Sequence, residues 1–166
     1  LAKNGVDLNG INVSKAFLET VNLKKVRLVN ANLSYTNLSA ANFSHSRIYK
    51  TDLSHTTIYF TNFSNAKFIK VEFNDSKITS CNFTNASIID SNLSNTDLTE
   101  CIFSGTILDD TDLSGAIFWE ETATGRGRHA TYITPEQIKK AKNWETAIYS
   151  PEFRKELGLR PKNKFN

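Results

Sequence analysis

The residues of this chain that could carry chemistry are three histidines, two cysteines and the aspartates around position 100. Catalysis or metal binding needs such groups to converge on one point. His45 and His55 lie ten residues apart, and His129 sits far along the chain behind the stretch Glu120–Arg128 (EETATGRGR). Cys81 and Cys101 are twenty apart, as are Asp90 and Asp110, with Asp109 beside the latter and Lys50 and Lys70 preceding them at the same interval. If residues twenty apart stack, carboxylates ~5 Å from one another would attract a hard cation such as Ca²⁺, which takes six to eight oxygens. The alternative is a charge ladder neutralised by the neighbouring lysines and by lysines from the tail, and that is the expectation here. Two cysteines without zinc-type spacing exclude a zinc site or a disulfide framework. Each of these intervals is a multiple of five, so the question becomes what kind of element repeats at that period.

Leu8, Val13, Leu18, Leu23, Leu28, Leu33, Leu38, Phe43, Ile48 and Leu53 open a series that runs every five residues through Phe118, 23 apolar residues in one frame. At 39% apolar composition, chance gives such a run at about 10⁻⁹ to 10⁻¹⁰. Two residues before each centre the side chain is almost always small, as at Ala16, Ala31, Thr61, Cys81 and Thr111. Asn or Asp often precedes the centre, as at Asn32, Asn62 and Asp112, and Ser or Thr often follows it. This period fits neither an α-helix nor a flat strand. It fits a chain that turns a corner every five residues, sending one large and one small side chain inward each time. The small residue lets a narrow core close without voids, and the short polar side chains suit the corners, where they bond local backbone.

Ala31-Asn32-Leu33-Ser34-Tyr35 and Thr111-Asp112-Leu113-Ser114-Gly115 resemble the A-(D/N)-L-x-x unit of pentapeptide-repeat proteins, a likeness that covers residues 6–120. It implies an all-β fold, a right-handed quadrilateral β-helix with four pentapeptides per coil. The 23 repeats would make about 5.75 coils, a rod roughly 28 Å long at ~4.8 Å per rung. His45 and His55 then fall on opposite sides, and Leu23, Phe43, Phe63, Phe83 and Phe103 form one inward row. Cys81 and Cys101 become stacked, buried thiols whose parallel Cβ vectors keep them free.

The domain reading is a solenoid over 1–120 followed by a loop, two short capping helices and a basic tail over 121–166. Thr134-Pro135-Glu136-Gln137 carries a capping box with Pro at the first helical position and predicts a helix over about 135–148. Ser150-Pro151-Glu152 starts a second over about 151–157, with Gly158 as its stop, and Arg160 to Asn166 should fray. Such a cap would blunt the open strand ends of a solenoid. The usually polar position before the centre becomes Ile102, Ile107 and Ile117 near that end, with Trp119 beyond, which predicts a covering element there. Thr134–Leu159 is also similar to the C-terminal segment of cyanobacterial pentapeptide-repeat proteins. That likeness implies export to the periplasm or thylakoid lumen, the cytoplasm being the alternative. The chain begins at Leu1 and has no Met, so its natural start is expected upstream, behind a removed signal peptide or a trimmed segment.

Charge is unevenly spread: Lys and Arg against Asp and Glu give +5 over residues 1–80, −7 over 81–120 and +5 over 121–166. No apolar run approaches the ~20 residues of a membrane span. The basic run Lys24-Lys25-Val26-Arg27 lacks interleaved aromatics, so nucleic acid is not expected, and the Asn-x-Ser/Thr matches are by-products of the repeat. No catalytic, cofactor or metal residue stands out, and the chain is read as non-enzymatic, a rigid interaction or scaffold module for a protein partner. The alternative is a DNA mimic that binds a topoisomerase, which would want a long negative rod where residues 1–80 are positive. The candidate interaction face is the row Val29, Tyr49, Ile69 and Ile89, where Ser, Thr or Asn would be usual, with Arg27, Arg47 and Lys67 alongside. Weak self-association through this stripe is a further expectation.

Overall fold

The computed structural model describes residues 5–121, 123 and 127–160. Residues twenty apart pair in parallel throughout the repeat, from Asp7 with Arg27 to Asp97 with Ile117, so each coil is four pentapeptides and the solenoid has four sides. The residue two after each centre from Leu8 to Leu113 has a left-handed backbone, as at Lys25 (φ 61°), His45 (φ 60°) and Asn65 (φ 59°). A left-handed residue other than glycine costs roughly 1–2 kcal/mol. The inter-coil ladder offsets it: these three corner N–H groups donate to the carbonyls of Ser44, Ser64 and Thr84, each at 2.9 Å.

Corners come in two kinds, and an Asn or Asp before the centre always goes with the tight one. Where Asn or Asp precedes the centre, its oxygen accepts from the backbone two residues on, as from Ser34 to Asn32 (3.0 Å), Ser44 to Asn42 (3.0 Å) and Ser114 to Asp112 (2.9 Å), and every such corner is a tight turn. Six corners are extended instead: β1 (Arg27–Val29), β2 (Arg47–Tyr49), β3 (Thr57–Tyr59), β4 (Lys67–Ile69), β5 (Lys77–Thr79) and β6 (Ser87–Ile89). None of them starts with Asn or Asp. They align as a four-stranded sheet, β1-β2-β4-β6, and a two-stranded sheet, β3-β5, on the opposite side.

An extended corner leaves the carbonyl of its centre without the turn hydrogen bond. At four of the six the small inward residue of the next coil supplies a donor: Thr51 to Leu28 (3.3 Å), Cys81 to Ile58 (3.3 Å), Cys101 to Ile78 (2.8 Å) and Thr111 to Ile88 (2.7 Å). Both cysteines are buried and free, as the parallel stacking predicts. They act here as hydroxyl equivalents, and burial pushes the Cys101 thiol well up.

The centres from Leu28 to Phe118 are all buried. Leu8, Val13, Leu18 and Leu23 are only half-buried, against the expectation that all 23 would be covered. They form the first coil, which has a neighbour on one side alone among the described residues. The predicted aromatic row is present, with ring centroids 5.5 Å apart for Phe43–Phe63, 5.0 Å for Phe63–Phe83 and 5.3 Å for Phe83–Phe103.

The tail departs from expectation. The stretch read as a loop is a hairpin in which β7 (Trp119–Glu121) pairs antiparallel with β8 (Gly127–His129). The helix expected over 135–148 ends after one turn, α1 (Pro135–Ile138), with its capping box formed, and a short 3₁₀ turn follows at Trp144–Thr146. The second helix, α2 (Pro151–Glu156), falls where expected. Between these pieces the tail adds an irregular further coil: Thr131 pairs with Ile102, Lys142 with Asp112 and Ile148 with Ile117, all parallel. Open ladder groups at the end of the repeat are costly to bury unpaired, and that demand overrides helix propensity across 139–149. On the fourth side no strand is added. There the Gln137 amide donates to the carbonyls of Phe103 (3.0 Å) and Thr106 (2.7 Å). Phe118 is covered by Tyr149 at 5.4 Å and Trp119 is half-buried, but Ile107 stays 43% exposed. The residues from 161 onward, expected to fray, lie outside the described set.

Candidate functional site

The four-stranded sheet carries two outward rows in strict register. Arg27, Arg47 and Lys67 align on one side of the strand centres, and Val29, Tyr49, Ile69 and Ile89 on the other. The sequence therefore placed all seven residues on one face correctly. The first three are exposed, Tyr49 is 36% exposed, and Val29, Ile69 and Ile89 are half-buried. A shallow hollow of about 250 Å³ lies between the rows. The Lys50 ammonium sits 5.3 Å from the Tyr49 ring centroid, within cation–π range. The tail coil pairs with residues 101–118 at the rod's end, not with the strands beneath this stripe.

At the corner beyond the apolar row, Lys70 and Asp90 approach to 3.6 Å, and the Lys142 ammonium lies 3.9 Å from both Asp90 and Asp110. The carboxylate ladder is thus met by lysines from the row and from the tail, as expected. These groups are about half exposed, so the pairs contribute little each. Among the described residues no three His, Cys, Asp or Glu side chains cluster as metal ligands, and no helix is long and apolar enough to cross a membrane. His45 and His55 occupy different corners, and His55 stacks on Tyr35 at 4.7 Å.

Two features of the surface escaped the sequence reading. Asn or Asp is absent at Arg27, Arg47, Lys67 and Ser87, but also at the tight corners of Phe17, Glu72, Ile102 and Ile107, so its loss permits the extended corner without dictating it. On the opposite sheet, Tyr59 and the corner residue Phe60, 74% exposed, break the same polar rule, with Phe17 at 87% on that side. Each is an aromatic where the repeat wants a small polar residue.

Among solved structures, the chain is similar to HetL, a pentapeptide repeat protein involved in heterocyst differentiation regulation from Nostoc sp. strain PCC 7120, at 22% identity and a TM-score of 0.65. That match covers 67% of this chain and 47% of HetL, so the chain spans about half the length of that relative. Rfr23 of Cyanothece 51142 (24% identity, TM-score 0.47) matches over 66% of this chain and 85% of its own. A pentapeptide repeat protein of the Arabidopsis thaliana thylakoid lumen (23%, TM-score 0.39) matches over 68% of each. No curated protein matches the chain. The sequence signature of pentapeptide repeats matches in eight copies, over residues 4–39, 22–58, 36–75, 50–85 and 81–119. With that register realised coil by coil, the chain belongs to the pentapeptide repeat family.

Proposed function

We propose that the protein is a non-enzymatic interaction module that docks a protein partner on the β1-β2-β4-β6 sheet. The observation that carries this reading is the in-register apolar row Val29, Tyr49, Ile69 and Ile89 beside Arg27, Arg47 and Lys67. A solenoid side has no free backbone edge, so recognition must run through side chains. A rigid sheet presents them with little ordering cost, which favours affinity. Aromatic and Arg residues next to aliphatic ones are the composition of interface centres. A DNA mimic has less behind it, since the acidic ladder at Asp90 and Asp110 is met by Lys142. The tail's resemblance to cyanobacterial members supports a periplasmic or lumenal setting, which fractionation of the native host would test.

The test is Tyr49→Ser with Ile69→Ser, assayed against wild type by affinity capture from the native host and by sedimentation for self-association. Circular dichroism should stay native while partner recovery or self-association drops. Undiminished association with a native spectrum moves the site to another face, the Tyr59 and Phe60 side first.

A further inference from the structure

The corner preceding the four-stranded sheet holds a cleft of about 540 Å³. Its two rims are the left-handed residues Lys25, His45 and Asn65 and the strand-opening residues Arg27, Arg47 and Lys67, all exposed. Every one of them is cationic, or can donate a hydrogen bond, and no Asp or Glu lines the cleft. Among the described residues none of Lys25, Arg27, Arg47 and Lys67 forms an ion pair. Asp7 precedes Arg27 in the same row, yet it forms none either.

We propose that this cleft binds a small solute bearing two or more phosphate groups. Like charges directly opposite on neighbouring strands destabilise a sheet, and Arg27, Arg47 and Lys67 oppose one another rung by rung. On the other edge of the same sheet the charged corner row neutralises itself, Lys70 against Asp90 and Lys142 between Asp90 and Asp110. The fold can thus place compensating carboxylates in a row, and in the cleft row it leaves Arg47 and Lys67 with none on a neighbouring rung. Guanidinium groups take phosphate oxygens bidentately, and charge-assisted bonds of this kind are the strong ones. The volume falls within the range of small-molecule sites. The lining has no aliphatic residue and no aromatic ring beyond the imidazole, so it offers little to an apolar ligand.

Inorganic tripolyphosphate is the probe, titrated calorimetrically at low salt with inorganic phosphate in parallel. Wild type should bind tripolyphosphate saturably, one per chain, and more tightly than phosphate. Arg27→Gln with Arg47→Gln should weaken binding by about tenfold or more, the equivalent of ~1.4 kcal/mol, with the melting temperature equal or higher because a repulsion is relieved. Lys50→Gln with Lys70→Gln removes the same charge from the other edge and should change affinity less than about twofold, as should Tyr49→Ser with Ile69→Ser. Equal losses in the two charge variants would reduce the effect to overall charge and overturn the site. Absence of saturable binding would overturn it too. So would a single-stranded oligonucleotide that binds more tightly with length and is lost in the arginine variant, since that describes a nucleic-acid surface.

Discussion

The repeat body and the tail coil reach the same pairing by different routes. In the body, each rung is a pentapeptide with a small inward residue, a large centre and a left-handed corner, and its neighbours are copies of it. In the tail, the rungs at Thr131, Lys142 and Ile148 are separated by helical and hairpin pieces, and one side is closed by the Gln137 amide with a single backbone bond from Asp110 to the Lys140 carbonyl. The body is stabilised by repetition, so many similar contacts share the load. The tail depends on a few residues with no understudies. Tyr149 extends the aromatic row by stacking on Phe118 and touching Phe153 at 5.6 Å. Its buried hydroxyl donates to the Trp144 carbonyl at 2.8 Å.

Removing the tail should have the largest effect. Deletion of residues 130–166 exposes the last coil, with Phe103, Leu108, Leu113 and Phe118, together with its open ladder. The truncated rod should aggregate or melt at lower temperature in light scattering and calorimetry. A monomeric rod with unchanged melting would mean that the body caps itself. Next come matched aromatic truncations. Phe83→Ala, fully buried mid-row, should cost about 3–5 kcal/mol in chemical denaturation, and Tyr149→Ala should cost a similar amount if body and tail unfold together. A Tyr149→Ala protein that loses only an early, low-amplitude transition would show two cooperative units instead of one.

A smaller effect isolates the side that has no added strand. Gln137→Glu keeps the shape but replaces a donor with an acceptor facing two carbonyls, so it should destabilise by about 1–3 kcal/mol and more than Gln137→Ala. The reverse order would show that the amide is not what satisfies Phe103 and Thr106.

The smallest effect is a pH dependence where the tail meets the last body coil. Burial alone would raise the Asp112 carboxyl, but hydrogen bonds from Ser114 and Asn143, with Lys142 nearby, hold it below the ordinary carboxylate value. A lowered value in the folded state contributes stability above the unfolded carboxylate value of ~4, and that contribution is lost as pH falls through the folded value. Protection of the Lys142 amide, taken relative to the intrinsic exchange rate at each pH, should therefore fall below about pH 4 before that of the body amides. A body that loosens first would put the acid-sensitive contact elsewhere.

The contrast also explains what could be read from the residues alone. The five-residue period assigns every body side chain to a row, because a one-residue slip would bury Asn and Ser and expose Leu and Phe. Face membership of Arg27, Tyr49 and the rest follows with no further information. The tail gave true local signals, and Thr134 and Gln137 do cap a helix, but the length of that helix is set by a neighbour. Ala141-Lys142 and Ala147-Ile148 repeat the small-then-outward pair of the body at intervals of eleven and six from Ala130-Thr131. That pattern is visible only once the partner rungs at Ile102, Asp112 and Ile117 are known to need it.

A corner every five residues also ties the compass bearing of each feature to its distance along the gene. Deleting one pentapeptide between Lys67 and Ser87 would turn everything downstream by a quarter of a circle. Ile89 would leave the apolar row, and Lys142 would come to rest over a different corner of the early coils. Deleting four pentapeptides would instead shorten the rod by one rung of ~4.8 Å and leave every row aligned. Length changes in steps of twenty residues are therefore nearly silent for the side surfaces, whereas a step of five rewires all of them at once.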